Sequence, residues 1–174
     1  MSGINYDLRK IKGFVFDVDG VLSPSTVPLG EDGYPKRMVS VKDGYALQLA
    51  MKLGFKIAVI TGGSGTSIIA RFKSLRIEDV YTNAHKKLPM LQEWLKKNKL
   101  SAEEVAYMGD DIPDLPCMRN VGLPAAPFDA CWEAKETAAY ISKFSGGYGC
   151  VRDLIEQTLK AQDLWLTNEN AFNW

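Results

Sequence analysis

The sequence predicts an α/β fold built on a doubly wound parallel sheet. Two observations carry this expectation. Phe14-Val15-Phe16, Lys56-Ile57-Ala58-Val59-Ile60 and Val105-Ala106-Tyr107-Met108 are short apolar runs, and each ends in acidic, hydroxyl or glycine residues. Segments of helical period separate them. Parallel strands are covered on both faces and therefore read as continuous apolar runs. Right-handed crossovers through the intervening helices assemble such runs into one Rossmann-like sheet.

The elements follow in order. The first strand leads into residues 21–42, which are rich in Pro, Gly and Ser. Glu31-Asp32-Gly33 lies there between two semi-apolar flanks, 25–30 and 36–41, the signal of a β-hairpin flap. Tyr45, Leu47, Leu49, Ala50 and Leu53 mark a helix over 44–53, closed by Gly54. A second helix is expected over 67–75 and a short strand at Val80-Tyr81. Leu88, Leu91, Trp94 and Leu95 share one face of a third helix, 88–97. Ser101-Ala102-Glu103-Glu104 fits a capping box ahead of the fourth strand. The alternation continues through 112–120, 122–125, 130–139 and Tyr140-Ile141, and a final helix spans 151–161.

Composition narrows the functional classes. With 174 residues the chain is expected to form a single domain, 1–174, whose C-terminal tail begins near 145. Lys+Arg and Asp+Glu number 21 each, so no global field draws nucleic acid. Cys117, Cys131 and Cys150 show no Cys-x-x-Cys spacing, which points to a reduced interior. An apolar leader and a membrane-length run are both lacking, so a cytoplasmic protein with no membrane partner is expected.

The chemistry gathers at the strand ends. Asp17 emerges from the first strand, Asp19 points to the same side, and Gly20 permits a turn closed to other residues. Paired acids repel unless a cation or a shared proton intervenes, so metal binding or acid–base work is implied. A calcium hand is disfavoured because Val18, Val21 and Leu22 occupy ligand places. Thr61-Gly62-Gly63-Ser64 forms a small-residue turn suited to an anion. Asn83-Ala84-His85-Lys86-Lys87 precedes the third helix, and Gly109-Asp110-Asp111-Ile112-Pro113-Asp114 follows the fourth strand. His85 is the sole histidine, which argues against a histidine-based zinc site.

Asp17-Val18-Asp19-Gly20, Thr61, the lysine pair and Gly109-Asp110-Asp111-x-x-Asp114 together resemble the four motifs of the haloacid dehalogenase superfamily. Val41-Lys42-Asp43-Gly44, Arg71 and Gly146-Gly147-Tyr148-Gly149-Cys150-Val151-Arg152-Asp153 look like its capless sugar-acid phosphatases. The resemblance spans about residues 12–160. It implies a phosphatase in which Asp17 forms an aspartyl-phosphate and Asp19 serves as acid and base. It further implies Mg²⁺ held by Asp17, the Asp19 carbonyl and Asp110, with Asp111 and Asp114 around them. Thr61, Gly62 and Lys87 would hold the phosphoryl group, with Lys86 as the alternative lysine. Arg71 would clamp a substrate carboxylate.

The spacing leaves no room for a cap domain, so the resemblance also implies a homotetramer. Its hairpins would associate, and the glycine-rich tail would cover a neighbouring site. The implied substrate is a 2-keto-3-deoxy sugar-acid phosphate with eight carbons. Gly63 replaces the Arg common in octulosonate enzymes, and Gly63 with Ser74 also lacks the Glu and Lys of nonulosonate relatives. A nonulosonate 9-phosphate phosphatase and a non-catalytic oligomerisation module stand as alternatives.

Overall fold

The computed structural model describes residues 4–174, so the first three residues of the expected domain lie outside the described residues. Six parallel strands form one sheet: β1 (Gly13–Phe16), β2 (Lys56–Ile60), β3 (Asp79–Tyr81), β4 (Val105–Met108), β5 (Leu123–Ala126) and β6 (Tyr140–Ile141). Their order is β3-β2-β1-β4-β5-β6. β1 is central, and the chain reverses its direction of winding between β1 and β4. Open α/β sheets bind ligands outside the carboxyl ends of the strands at such a point.

Alternation along the strands sorts the core into two layers. Phe14 and Phe16 face the layer of α1 (Val41–Lys52), α2 (Thr66–Ser74) and α6 (Cys150–Ala161). Val15 faces the other way, toward Leu91 and Trp94 of α3 (Lys87–Asn98) and toward α4 (Leu115–Met118) and α5 (Trp132–Thr137). Gly13 is small because Trp94 lies over it: an added Cβ would fall 2.8 Å from the indole. No described helix is long and apolar enough to cross a membrane.

Several boundaries have local causes. α1 begins at Val41, ahead of the expected residue 44, because Ser40 accepts the Asp43 N–H at 3.1 Å as an N-cap. It ends as expected at Gly54, with φ +91° and bonds Gly54 N to Met51 O and Phe55 N to Ala50 O. The expected capping box is present, on a 3₁₀ turn at Ala102–Glu104. The helix expected over 112–120 is instead a 3₁₀ turn, Ile112–Asp114, followed by the short α4. Pro113 and Pro116 lack the N–H groups that a continuous helix requires.

The flap takes hairpin form only at its tip. Leu29 faces Pro35 in an antiparallel bridge, and Gly30 N donates to Tyr34 O at 2.7 Å. Pro28 and Pro35 cannot donate, which keeps the flanks from extending into strands. The glycine-rich segment lies against the motif loop of its own chain. Gly147 N donates to Val21 O at 2.7 Å, and Gly146 N donates to Asp129 Oδ1 at 2.8 Å. Beyond α6 the tail folds over α1, where Tyr45 Oη donates to Ala171 O and Trp165 and Trp174 meet the Tyr45 ring edge-on.

A Cβ at position 146 would lie 1.9 Å from the Gly20 carbonyl oxygen, a backbone atom that cannot swing aside. Gly146→Ala should therefore overpack the motif loop by about 1–3 kcal/mol and lower Tm by roughly 3–10 °C. A thermal melt unchanged from wild type would contradict this packing.

Candidate active site

The carboxyl ends of β1, β2 and β4 and the start of α3 enclose a cavity of about 480 Å³. Asp17, Asp19, Thr61, Gly62, Gly63, Lys87, Asp110, Asp111 and Asp114 all line it. Asp17 continues β1 by donating its N–H to Met108 O at 3.1 Å, and its side chain is buried. Gly20, at φ +93°, turns the loop back so that Gly20 N meets Ser23 O. The turn needs a glycine for a second reason, since a Cβ there would fall 1.9 Å from Asp110 Oδ2.

A charge network organises the floor. Lys87 Nζ donates to Asp17 Oδ1 at 2.7 Å and to Asp114 Oδ1 at 2.8 Å. Lys87 is buried and Lys86 is exposed, so burial separates the two lysines. Asp114 is fully engaged, accepting also from Tyr107 Oη at 2.7 Å and from Asp110 N at 3.1 Å. Asp111 is exposed and caps its own turn by accepting the Ile112 N–H at 2.8 Å. Thr61 is buried, and its Oγ1 accepts the Gly63 N–H at 3.0 Å, tightening the turn after β2.

The network carries excess negative charge. Burial and then Asp114 push the Asp17 carboxyl up to about 7, against the pull of Lys87. Burial, with Asp17, Asp114 and Asp111, pushes Asp110 up to about 8. Burial disfavours the charge on Lys87, yet Asp17 and Asp114 outweigh it and hold the ammonium above its ordinary range. Oxygens of Asp17, Asp110 and Asp114 lie within 4.8 Å of one another. Hard oxygen donors with surplus charge fit a divalent cation such as Mg²⁺. Within this trio Asp110 carries the least compensated carboxylate, while Asp114 already serves Lys87 and Tyr107.

Two expected residues are placed differently from the rest. Asp19 turns its carboxylate to Arg37 of the flap, which approaches both oxygens at 2.7 and 2.8 Å. Arg71 does not line the acidic cavity. Its guanidinium lies against Gly44, on the wall of an adjoining cavity of about 220 Å³ that it shares with Arg37, Val18 and Ser23. Sequence reasoning missed Arg37 and Tyr107. Tyr107 could have been found as the one hydroxyl in an apolar strand ahead of three acids, whereas nothing local marks Arg37.

No protein-family model matches the chain. It is 35% identical over 154 residues to the 3-deoxy-D-manno-octulosonate 8-phosphate phosphatase KdsC of Escherichia coli K12, covering 88% of this chain and 82% of that protein. The solved structure of the corresponding phosphatase from Moraxella catarrhalis, in complex with magnesium, phosphate and KDO, is also similar. Its TM-score is 0.86 at 34% identity, with 90% of each chain covered. The cobalt-bound deoxy-D-mannose-octulosonate 8-phosphate phosphatase of Haemophilus influenzae has a TM-score of 0.89 at 27% identity, covering 95% of this chain and 98% of that one.

A carboxyl whose pKa is higher folded than unfolded binds more protons in the folded state. Stability of the metal-free chain should therefore fall as pH rises from the ordinary 3.8 through about 7 and 8. A divalent cation relieves that loss only where it need not displace protons. Added Mg²⁺ should raise Tm more near pH 8 than near pH 6, read by thermal melts at both pH values. Equal shifts at the two would contradict the raised carboxyls.

Proposed function

Because the chain belongs to the haloacid dehalogenase superfamily, and within it to the 3-deoxy-D-manno-octulosonate 8-phosphate phosphatases, we propose that it hydrolyses KDO-8-phosphate to KDO and phosphate with Mg²⁺ as cofactor. The observation that carries this reading is the meeting of Asp17, Thr61, Lys87 and Asp110 in one cavity at the switch point of the sheet. A non-catalytic module would have no use for this set.

Asp17 is the nucleophile: it attacks phosphorus in line and becomes an aspartyl-phosphate. Asp19 gives a proton to the departing sugar oxygen and later takes one from the water that clears the intermediate. Lys87, Thr61 and the Gly62 N–H hold the phosphoryl oxygens. Asp17, the Asp19 carbonyl and Asp110 are the residues that would hold Mg²⁺, with Asp111 and Asp114 ordering their surroundings. The bound ion supplies the positive charge that lets an anionic nucleophile approach an anionic phosphate. Arg71, on the adjoining wall, would receive the remote carboxylate of the sugar acid, and Gly63 would border the substrate in the acidic cavity.

The cytoplasm is the proposed location, supported by free cysteines at 117, 131 and 150. A homotetramer is proposed as the working form. Its support is the set of apolar side chains that the flap exposes, Leu29, Tyr34, Met38 and Val39 among them, beside an open cavity. A neighbour's flap would cover both, since the tail is held against the motif loop and α1 of its own chain.

Assay of phosphate release with Mg²⁺ across a panel of sugar phosphates tests the substrate. KDO-8-phosphate should give a higher kcat/KM than its nine-carbon homologue, and Asp17→Asn should abolish turnover of both. Full activity in that variant would remove the covalent mechanism, and preference for the nine-carbon substrate would replace the assignment. Light scattering should report four chains. A fully active monomer would overturn the tetramer.

A further inference from the structure

Arg37 is a flap residue whose guanidinium lies against the Asp19 carboxylate, on the wall of the adjoining cavity. Its side chain is only 12% exposed. Nε donates to Asp19 Oδ1 at 2.7 Å and Nη2 donates to Asp19 Oδ2 at 2.8 Å, a two-pronged grip that fixes the plane of the carboxylate. Nη1 points to Ser64 O at 3.5 Å, on the turn that follows Thr61. One side chain thus ties the flap, the nucleophile loop and the phosphate turn together.

Gly63 is what makes room for it. This glycine is not among those with positive φ, so its backbone conformation is open to other residues. A Cβ there would instead meet Arg37 Nη2 at 2.4 Å, Arg37 Cζ at 3.2 Å and Asp19 Oδ2 at 3.2 Å. The space above Gly63 is filled by the Arg37 guanidinium and bordered by the Asp19 carboxylate that it grips.

We propose that Arg37 is the positioning residue for Asp19, and that Gly63 and Arg37 form one device through which the flap aims that carboxyl at the leaving oxygen. The proposal rests on the phosphatase reading. In the step concerned, the bond from phosphorus to the leaving oxygen breaks as the bond to Asp17 forms, and the Asp19 proton goes to the departing oxygen. A misaimed Asp19 slows this step most when the leaving group cannot depart as an anion. A p-nitrophenolate needs no proton, whereas an alkoxide does.

The test uses the Mg²⁺-loaded enzyme and a series of simple phosphomonoesters, from p-nitrophenyl through phenyl to alkyl, none of which carries a sugar. Arg37→Ala should lower kcat/KM for the alkyl ester by about 10–100-fold and for p-nitrophenyl phosphate by less than about threefold, steepening the dependence on leaving-group pKa. Arg37→Lys, which keeps the charge and loses the fork, should fall between. Gly63→Ala leaves Arg37 in the chain but displaces it, so it should steepen the same dependence. The double variant Arg37→Ala/Gly63→Ala should then be no worse than Arg37→Ala alone.

Equal losses across the series, or additive losses in the double variant, would overturn the proposal while leaving the phosphatase reading intact. So would an unchanged series in Arg37→Ala beside a loss on KDO-8-phosphate assayed in parallel, which would make Arg37 a sugar contact instead. The phosphatase reading is checked separately by wild-type turnover of p-nitrophenyl phosphate that Asp17→Asn abolishes. Absence of that turnover would overturn both.

Discussion

Three carboxylates whose oxygens approach within 4.8 Å would repel one another at the buried end of a parallel sheet, and Lys87 is the cation that offsets them. Its ammonium bridges Asp17 and Asp114, and Asp114 in turn receives Tyr107 Oη and the Asp110 N–H. Each bond in this chain orders the next side chain. A lone buried charge is costly, and so is a lone buried pair with unsatisfied oxygens. Here the oxygens of Asp114 are engaged by donors from β4 and the loop after it. Burial first, and then the neighbouring carboxylates, still hold Asp17 and Asp110 above the ordinary carboxylate range. That crowding of carboxylates suits the site to a cation.

The sheet was legible because its strands are short apolar runs that stop at chemically distinctive residues. Asp17, Thr61 and Asp110 each follow a strand, so recognising the strands also brought these candidate residues to one end of the sheet, where they share a cavity. The capping box at Ser101 and the stop at Gly54 were legible for the same reason, as local backbone chemistry has local sequence signatures. The region 112–120 was read as one step of the alternation, and Pro113 and Pro116 divide it into a 3₁₀ turn and the short α4. Arg37 lay beyond reach. Its partner Asp19 is 18 residues away across an irregular loop, and no periodicity connects a flap side chain to a strand end. Gly63 was noticed as a missing side chain, but only the folded chain reveals what fills the space.

Arg71 illustrates how a motif position and a contact can separate. It lies on the helix behind Thr61, as the helical reading implied, yet its guanidinium rests against Gly44 on the wall of the adjoining cavity. Two arginines therefore line that wall, one from the flap and one from α2. The cations near the site thus come from three unlike elements: the start of α3, the flap and α2. The two helices belong to the sheet's own crossovers, whereas the flap stands outside them.

The contact between Gly146 and Gly20 joins segments that lie far apart in the sequence. The loop after Asp17 is made early in synthesis, while the segment that packs on it is made much later. Gly147 N on Val21 O and Cys150 Sγ on the same carbonyl reinforce this junction. On the ribosome the loop after Asp17 must therefore wait, without its packing partner, until the segment ahead of α6 has emerged. Domains generally fold as units during synthesis. In this chain the loop after Asp17 depends on a late part of that unit, so a truncated nascent chain would present its acids without the packing that shapes their loop.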